Sequence, residues 1–130
     1  MIRITARDDL VSIVDGRLYM VQEKVPGKQV SVAHIISKPE KILMYSIGMD
    51  TKAYAPEDSA IAILNINPWE TTIVACDIAL KTAKADVTFI DRFNGALVFT
   101  GRLAPIEQAM KAILTYLKKL DYELCEITKT

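Results

Sequence analysis

Val87–Gly101 reads VTFIDRFNGALVFTG: two apolar, β-rich runs, Val87–Ile90 and Ala96–Phe99, around the interval Asp91-Arg92-Phe93-Asn94-Gly95. Asn-Gly between such runs predicts a tight β-hairpin, because both residues tolerate a positive φ. The hairpin puts Arg92 and Phe93 at a strand tip rather than in a core. A cation and an aromatic ring at a tip are free to face a partner, a ligand or a symmetry axis.

On the N-terminal side of the hairpin, Ala60–Ile66 (AIAILNI) is apolar almost throughout and reads as a central strand. Asn67-Pro68-Trp69-Glu70 then predicts a helix start, with Asn67 as N-cap, Pro68 at the first helical position and Glu70 reaching back. That helix runs to Ala83, with Ile73, Cys76, Leu80 and Ala83 as its inward stripe and Ala75 and Ala79 keeping the packing close. Beyond the hairpin, Pro105 opens a second helix to Leu120 with the stripe Ile106, Ala109, Met110, Ile113, Leu117 and Leu120. Tyr122–Ile127 closes as a strand before a polar tail.

Further upstream, Gln29–Ile36 alternates Val30, Val32, His34 and Ile36 along one face of a strand. Ser37-Lys38-Pro39 starts a short helix carrying Ile42, Leu43 and Ile47, and Gly48 ends it. Leu10–Val14 and Arg17–Val21 around Asp15-Gly16 predict another hairpin. From residue 29 the order is β, short α, β, α, β, β, α, β. That order implies an α+β fold, an α/β sandwich with one mostly antiparallel sheet and helices gathered on one face. Residues 29–130 form the domain, and residues 1–28 are an N-terminal β extension. Sheet edges need cover, which points to an oligomer.

The totals narrow the function. Sixteen Lys and Arg balance sixteen Asp and Glu, which argues against nucleic acid or an anionic membrane as partner. Mean hydropathy of +0.20 is high for a small monomer and places apolar surface in a subunit interface. No apolar run approaches the roughly 18 residues of a membrane span, and MIRITARDDL lacks the apolar core of a signal peptide. Two cysteines without CxxC spacing fit a reduced, cytoplasmic setting.

Chemistry is sparse. His34 alternates with apolar residues, as a hydrogen-bonded strand histidine at a core edge does, and that reading is favoured over a catalytic base because the spacing around it suggests no catalytic partner. Cys76 and Cys125 read as small buried hydrophobes. There is no GxxxxGK[ST] or GxGxxG phosphate loop and no convincing ligand set for a metal or an iron–sulfur cluster. No catalytic residue, metal or cofactor is expected, and the chain does not read as an enzyme.

VPGKQVSVAHII (Val25–Ile36), VACDIALK (Val74–Lys81), FIDRFNGALVFTG (Phe89–Gly101) and LCEITKT (Leu124–Thr130) together resemble shell proteins of bacterial microcompartments. The similarity is to the circularly permuted, hexamer-forming subclass of the ethanolamine- and propanediol-utilisation type. It implies a four-stranded antiparallel sheet with helices on one face, and a homohexameric tile packed with other shell proteins around encapsulated enzymes. The implied role is structural, with a narrow or capped pore limiting metabolite passage.

By the same resemblance, Asp91, Arg92, Phe93, Asn94 and Gly95 line the pore axis. Arg92 there forms either a ring of positive charge or an intersubunit ion pair, and Phe93 either narrows the opening or packs between neighbours. Lys81 matches the lysine at the tile edge, against the alternative of a solvated helix-end lysine, and Lys38 and Pro39 match a second edge segment. Tyr19, Met20, Val21, Gln22, Glu23, Lys24 and Val25 match the strand that builds a small axial β-barrel over the pore. The competing reading of the fold class is an oligomeric regulatory domain that senses a small molecule.

Overall fold

The computed structural model describes residues 11–14, 17–20, 27–49 and 56–130. Near the N-terminus β1 (Val11–Val14) and β2 (Arg17–Met20) pair antiparallel, Val11 opposite Met20 and Val14 opposite Arg17. This is the expected first hairpin. Its Asp15-Gly16 turn lies outside the described residues.

The main sheet has the order β5-β6-β4-β3-β7. Its strands are β3 (Gln29–Ser37), β4 (Ser59–Asn67), β5 (Asp86–Asp91), β6 (Ala96–Arg102) and β7 (Thr128–Lys129). Strands β3, β4, β6 and β5 form the four-stranded antiparallel core, and β7 adds a short parallel edge along β3. β4 is central because both of its faces are apolar. Side chains alternate along a strand, so Ala60, Ala62, Leu64 and Ile66 face the layer of two long helices, α2 (Glu70–Ala83) and α3 (Leu103–Lys119). Ile61 and Ile63 face the reverse side, where the short α1 (Lys41–Ser46) supplies Met44 and the following loop Met49. The long helices gather on one face as expected, and α1 covers part of the other.

Several details differ from the sequence reading. Asn67 is the last residue of β4 rather than a helix cap: its Nδ2 donates to the Gly27 carbonyl at 2.8 Å. Helix α2 starts at Glu70, and its buried face is Thr71, Thr72, Ala75 and Ala79, while Ile73 and Leu80 are exposed. Small residues face inward because α2 packs against both the sheet and the neighbouring α3, where Ala75 and Ala79 allow close approach; the bulky residues turn outward. Helix α3 begins at Leu103, two residues before Pro105, which sits in the first turn where its missing N–H leaves nothing unpaired. Its stripe gains Leu114 and loses Leu120, which lies past the helix end and is exposed. Pro39 precedes α1 rather than opening it.

The closing strand lies later than expected. Asp121 reverses the chain in the left-handed region, φ 66°. Glu123 then forms an isolated parallel bridge with Gln29, and regular pairing resumes only at Thr128–Lys129. The supposed polar tail is therefore part of the sheet: Thr130 N–H donates to the Ile35 carbonyl and Ser37 N–H to the Thr130 carbonyl, at 3.0 and 2.9 Å.

The antiparallel order gives the sheet two distinct ends. One end holds Gly27–Gln29, Asn67, the β5–β6 loop and Glu123. The other holds Ser37–Pro39, Ser59, the C-terminus of α2 and the β6–α3 junction.

Candidate functional site

The β5–β6 loop is built by Asp91. Its Oδ1 accepts the N–H groups of Phe93 (2.9 Å) and Asn94 (3.2 Å), and its Oδ2 accepts the Asn94 Nδ2–H at 2.9 Å. These bonds, the Asn94 side chain foremost, hold the Asp91 carboxyl below the ordinary aspartate range. Of the Asn-Gly pair only Gly95 takes a positive φ, 81°. The tip is thus a four-residue, aspartate-capped loop rather than a two-residue type I′ turn. Gly95 N–H donates to the Asp91 carbonyl and the Gly95 carbonyl receives the Ile66 N–H, both at 2.8 Å. The first bond closes the loop on itself, and the second fastens it to the central strand.

Within the chain the Asp91 carboxylate is committed to the loop and makes no ion pair with Arg92. The Arg92 guanidinium instead lies 5.6 Å from the centroid of the Phe93 ring, and Arg92 makes no ion pair among the described residues. Phe93 is 79% exposed. Arg92 and Phe93 border an open groove of about 630 Å³ whose other lining residues are Ile73, Phe89, Ile90 and Asp91.

The apolar wall of this groove was missed in the sequence. Two consecutive large residues, Phe89 and Ile90, cannot share one face of a regular strand. A register shift between Val87 and Phe89 at the sheet edge leaves both exposed. That adjacency was the available signal.

Lys81, Lys38 and Pro39 sit at the far end of the sheet. Lys81 is exposed and pairs with Asp77 one helical turn earlier, at 2.8 Å. Its hydrogen bond to Asp77, reinforced by the carboxylate's charge, raises its pKa. Lys38 is exposed at φ 52° with its N–H on the Ser59 carbonyl, and Pro39 is buried. Tyr19 and Met20 lie in β2, paired to β1, and Val21–Val25 fall outside the described residues.

His34 is a half-buried strand histidine. Its Nδ1 and Nε2 meet the Thr128 and Thr130 hydroxyls at 2.6 and 3.0 Å, which ties the C-terminus to β3. Cys76 and Cys125 are free thiols partly buried against the core, and burial pushes the Cys76 pKa up, away from thiolate chemistry. Among the described residues no cluster of three or more His, Cys, Asp or Glu could hold a metal ion, and no helix is long and apolar enough to cross a membrane.

Comparison with known proteins places this geometry in context. Residues 60–127 match the BMC domain. The chain is 43% identical over 112 residues to the bacterial microcompartment shell protein PduU of Salmonella typhimurium, covering 85% of this chain and 92% of that one. It is 42% identical, over 85% of its own length and 96% of the relative's, to the shell protein EutS of Escherichia coli. The solved CutR flat hexamer (form 2) resembles it with a TM-score of 0.71 and 36% identity, over 85% of this chain and 90% of that one.

Proposed function

The chain belongs to the BMC-domain family of bacterial microcompartment shell proteins, and from that premise we propose that it is a hexameric tile of such a shell, in the cytoplasm. Six copies close around an axis bordered by the Asp91–Gly95 loops. Tiles abut one another, and other shell proteins, through Lys81 and the Lys38-Pro39 corner. The enclosed enzymes lie on one side of the coat, and the tile itself is structural rather than catalytic.

The observation that carries this reading is the separation of the two residue sets to opposite ends of one sheet. The axial loop is at one end, and the edge residues are at the other. A wedge-shaped ring subunit needs that layout, and the likeness to a flat hexamer over 85% of the chain supports it. Strand β3 precedes the matched segment 60–127 yet completes its sheet, which supports a permuted order.

Gly27 is anchored to Asn67 at the axial end, and the Lys28 ammonium lies 4.9 Å from the centroid of the neighbouring Tyr122 ring. The chain thus enters the domain at Gly27, at the same end of the sheet as the β5–β6 loop. That entry point supports Tyr19–Val25 as a cover over the opening, which would leave it narrow or closed. The sensing alternative has less support, because the groove beside Arg92 and Phe93 opens to solvent rather than enclosing a ligand.

Native mass spectrometry with electron microscopy tests the reading. The full chain should give a mass six times that of the monomer and six-fold particles or flat sheets. A chain lacking residues 1–25 should keep the ring and lose density over its centre. A persistent monomer at cellular concentration would refute the tile.

A further inference from the structure

A cyclic ring sets one surface of each copy against a different surface of the next. The described residues offer two such surfaces, on opposite borders of the sheet. On the β5 border lies the groove, with Ile73 50% and Phe89 52% exposed beside Ile90 and Phe93, and with Arg92 at its mouth. On the β3 border runs the extended stretch from Glu123 to Ile127. There Cys125 and Ile127 pack against the core, so the alternation of an extended chain turns Leu124 and Glu126 outward, and both are exposed.

Both surfaces begin at the same end of the sheet. Gly95 is bonded to Ile66, Asn67 pairs with Gln29, and Gln29 bridges to Glu123. A ring closed around an axis at that end sets the β5 border of one molecule beside the Glu123–Ile127 border of the next. The strand register puts Glu126 level with Asp91, next to Arg92, and Leu124 closer to the axis, level with the loop tip.

Their chemistry is complementary. The groove offers apolar walls and a guanidinium that has no acidic partner among the described residues. The opposite border presents an apolar side chain and a carboxylate two residues apart, about 7 Å along an extended chain. Glu126 has no hydrogen bond or ion pair among the described residues. An exposed cation and carboxylate at matched positions steer association and set register.

Resting on the ring reading above, we propose that the contact between neighbouring copies is this one: Leu124 of one copy packs into the Phe93 end of the next copy's groove, and Glu126 pairs there with Arg92. Arg92 is then neutralised by the neighbour rather than left in a ring of six unpaired charges.

Sedimentation velocity and native mass spectrometry of the full-length chain across a concentration series test the contact, with circular dichroism confirming that each variant is folded. Arg92→Glu and Glu126→Arg should each raise the concentration for half-assembly at least about tenfold, and the double variant should regain most of that loss. Phe89→Asp should abolish rings, whereas Ile42→Asp, on α1 across the sheet, should leave them. If the wild type forms rings but Arg92→Glu and Phe89→Asp assemble equally well, or the double variant does no better than the single ones, the contact is overturned and the ring stands. A wild type that stays monomeric overturns both.

Discussion

Gly95→Ala tests the fastening of the β5–β6 loop to the sheet. At φ 81°, a Cβ built on Gly95 would lie 1.9 Å from the Ile66 carbonyl oxygen and 3.0 Å from its carbon, where ordinary contact starts at 3.4 Å. The obstacle is backbone of the central strand, which cannot swing aside as a side chain can. Relief must therefore pull the loop away and break the 2.8 Å bond from the Ile66 N–H, a group on a fully buried residue. The left-handed conformation costs alanine about 1 kcal/mol or more relative to glycine. The orphaned buried N–H adds about 1–3 kcal/mol. The total is about 2–4 kcal/mol, which in a chain of this size lowers the melting temperature by about 6–20 °C.

Gly48→Ala is the internal control. Its φ is 85°, but nothing lies within 4 Å of the added Cβ, so only the conformational cost of about 1 kcal/mol should appear. Thermal unfolding followed by circular dichroism, at one protein concentration because assembly couples stability to concentration, separates the two. If Gly95→Ala melts within a few degrees of Gly48→Ala, the loop is not pinned to Ile66 and the account of its rigidity fails.

Three other substitutions probe the remaining elements. Asp91→Ala should speed hydrogen exchange of the Phe93 and Asn94 amides in NMR, since their acceptor is gone. In the wild type the Asp91 carboxylate has a lowered pKa, so its contribution holds above about pH 4 and disappears as pH falls through that lowered value; amide shifts that titrate at or above the ordinary aspartate pKa would contradict this. Lys81→Ala removes only an exposed pair with Asp77, so the melting temperature should hardly move while flat sheets of tiles disappear from micrographs; unchanged sheets would take Lys81 off the tile edge. Leu117→Ala, at a fully buried position of α3, should cost about 2–5 kcal/mol in urea unfolding, and a much smaller loss would mean the two-helix layer is not the core.

Much of the architecture was decided by local pattern. The alternation in β3 and the 3.6-residue stripe of α3 each admit one period. The short, nearly continuous apolar run of β4, bounded by polar and turn residues, fits a central strand, so strand and helix followed from residue order. The Asp91–Gly95 tip was legible as a turn for the same reason, and the family resemblance rested on contiguous motifs. Tertiary packing settled the rest. Which face of α2 points inward depends on how closely α3 approaches, and that selected Thr71, Thr72, Ala75 and Ala79 over the larger Ile73 and Leu80. The pairing of Thr128–Lys129 with β3 depends on a reversal at Asp121 that brings together residues some ninety positions apart. The groove, too, exists only because a register shift at a sheet edge leaves Phe89 and Ile90 both uncovered. Periodicity records which residues share a side of one element; it carries no information about how near the next element comes, and in this molecule that distance determined which apolar residues were left for a neighbour to cover.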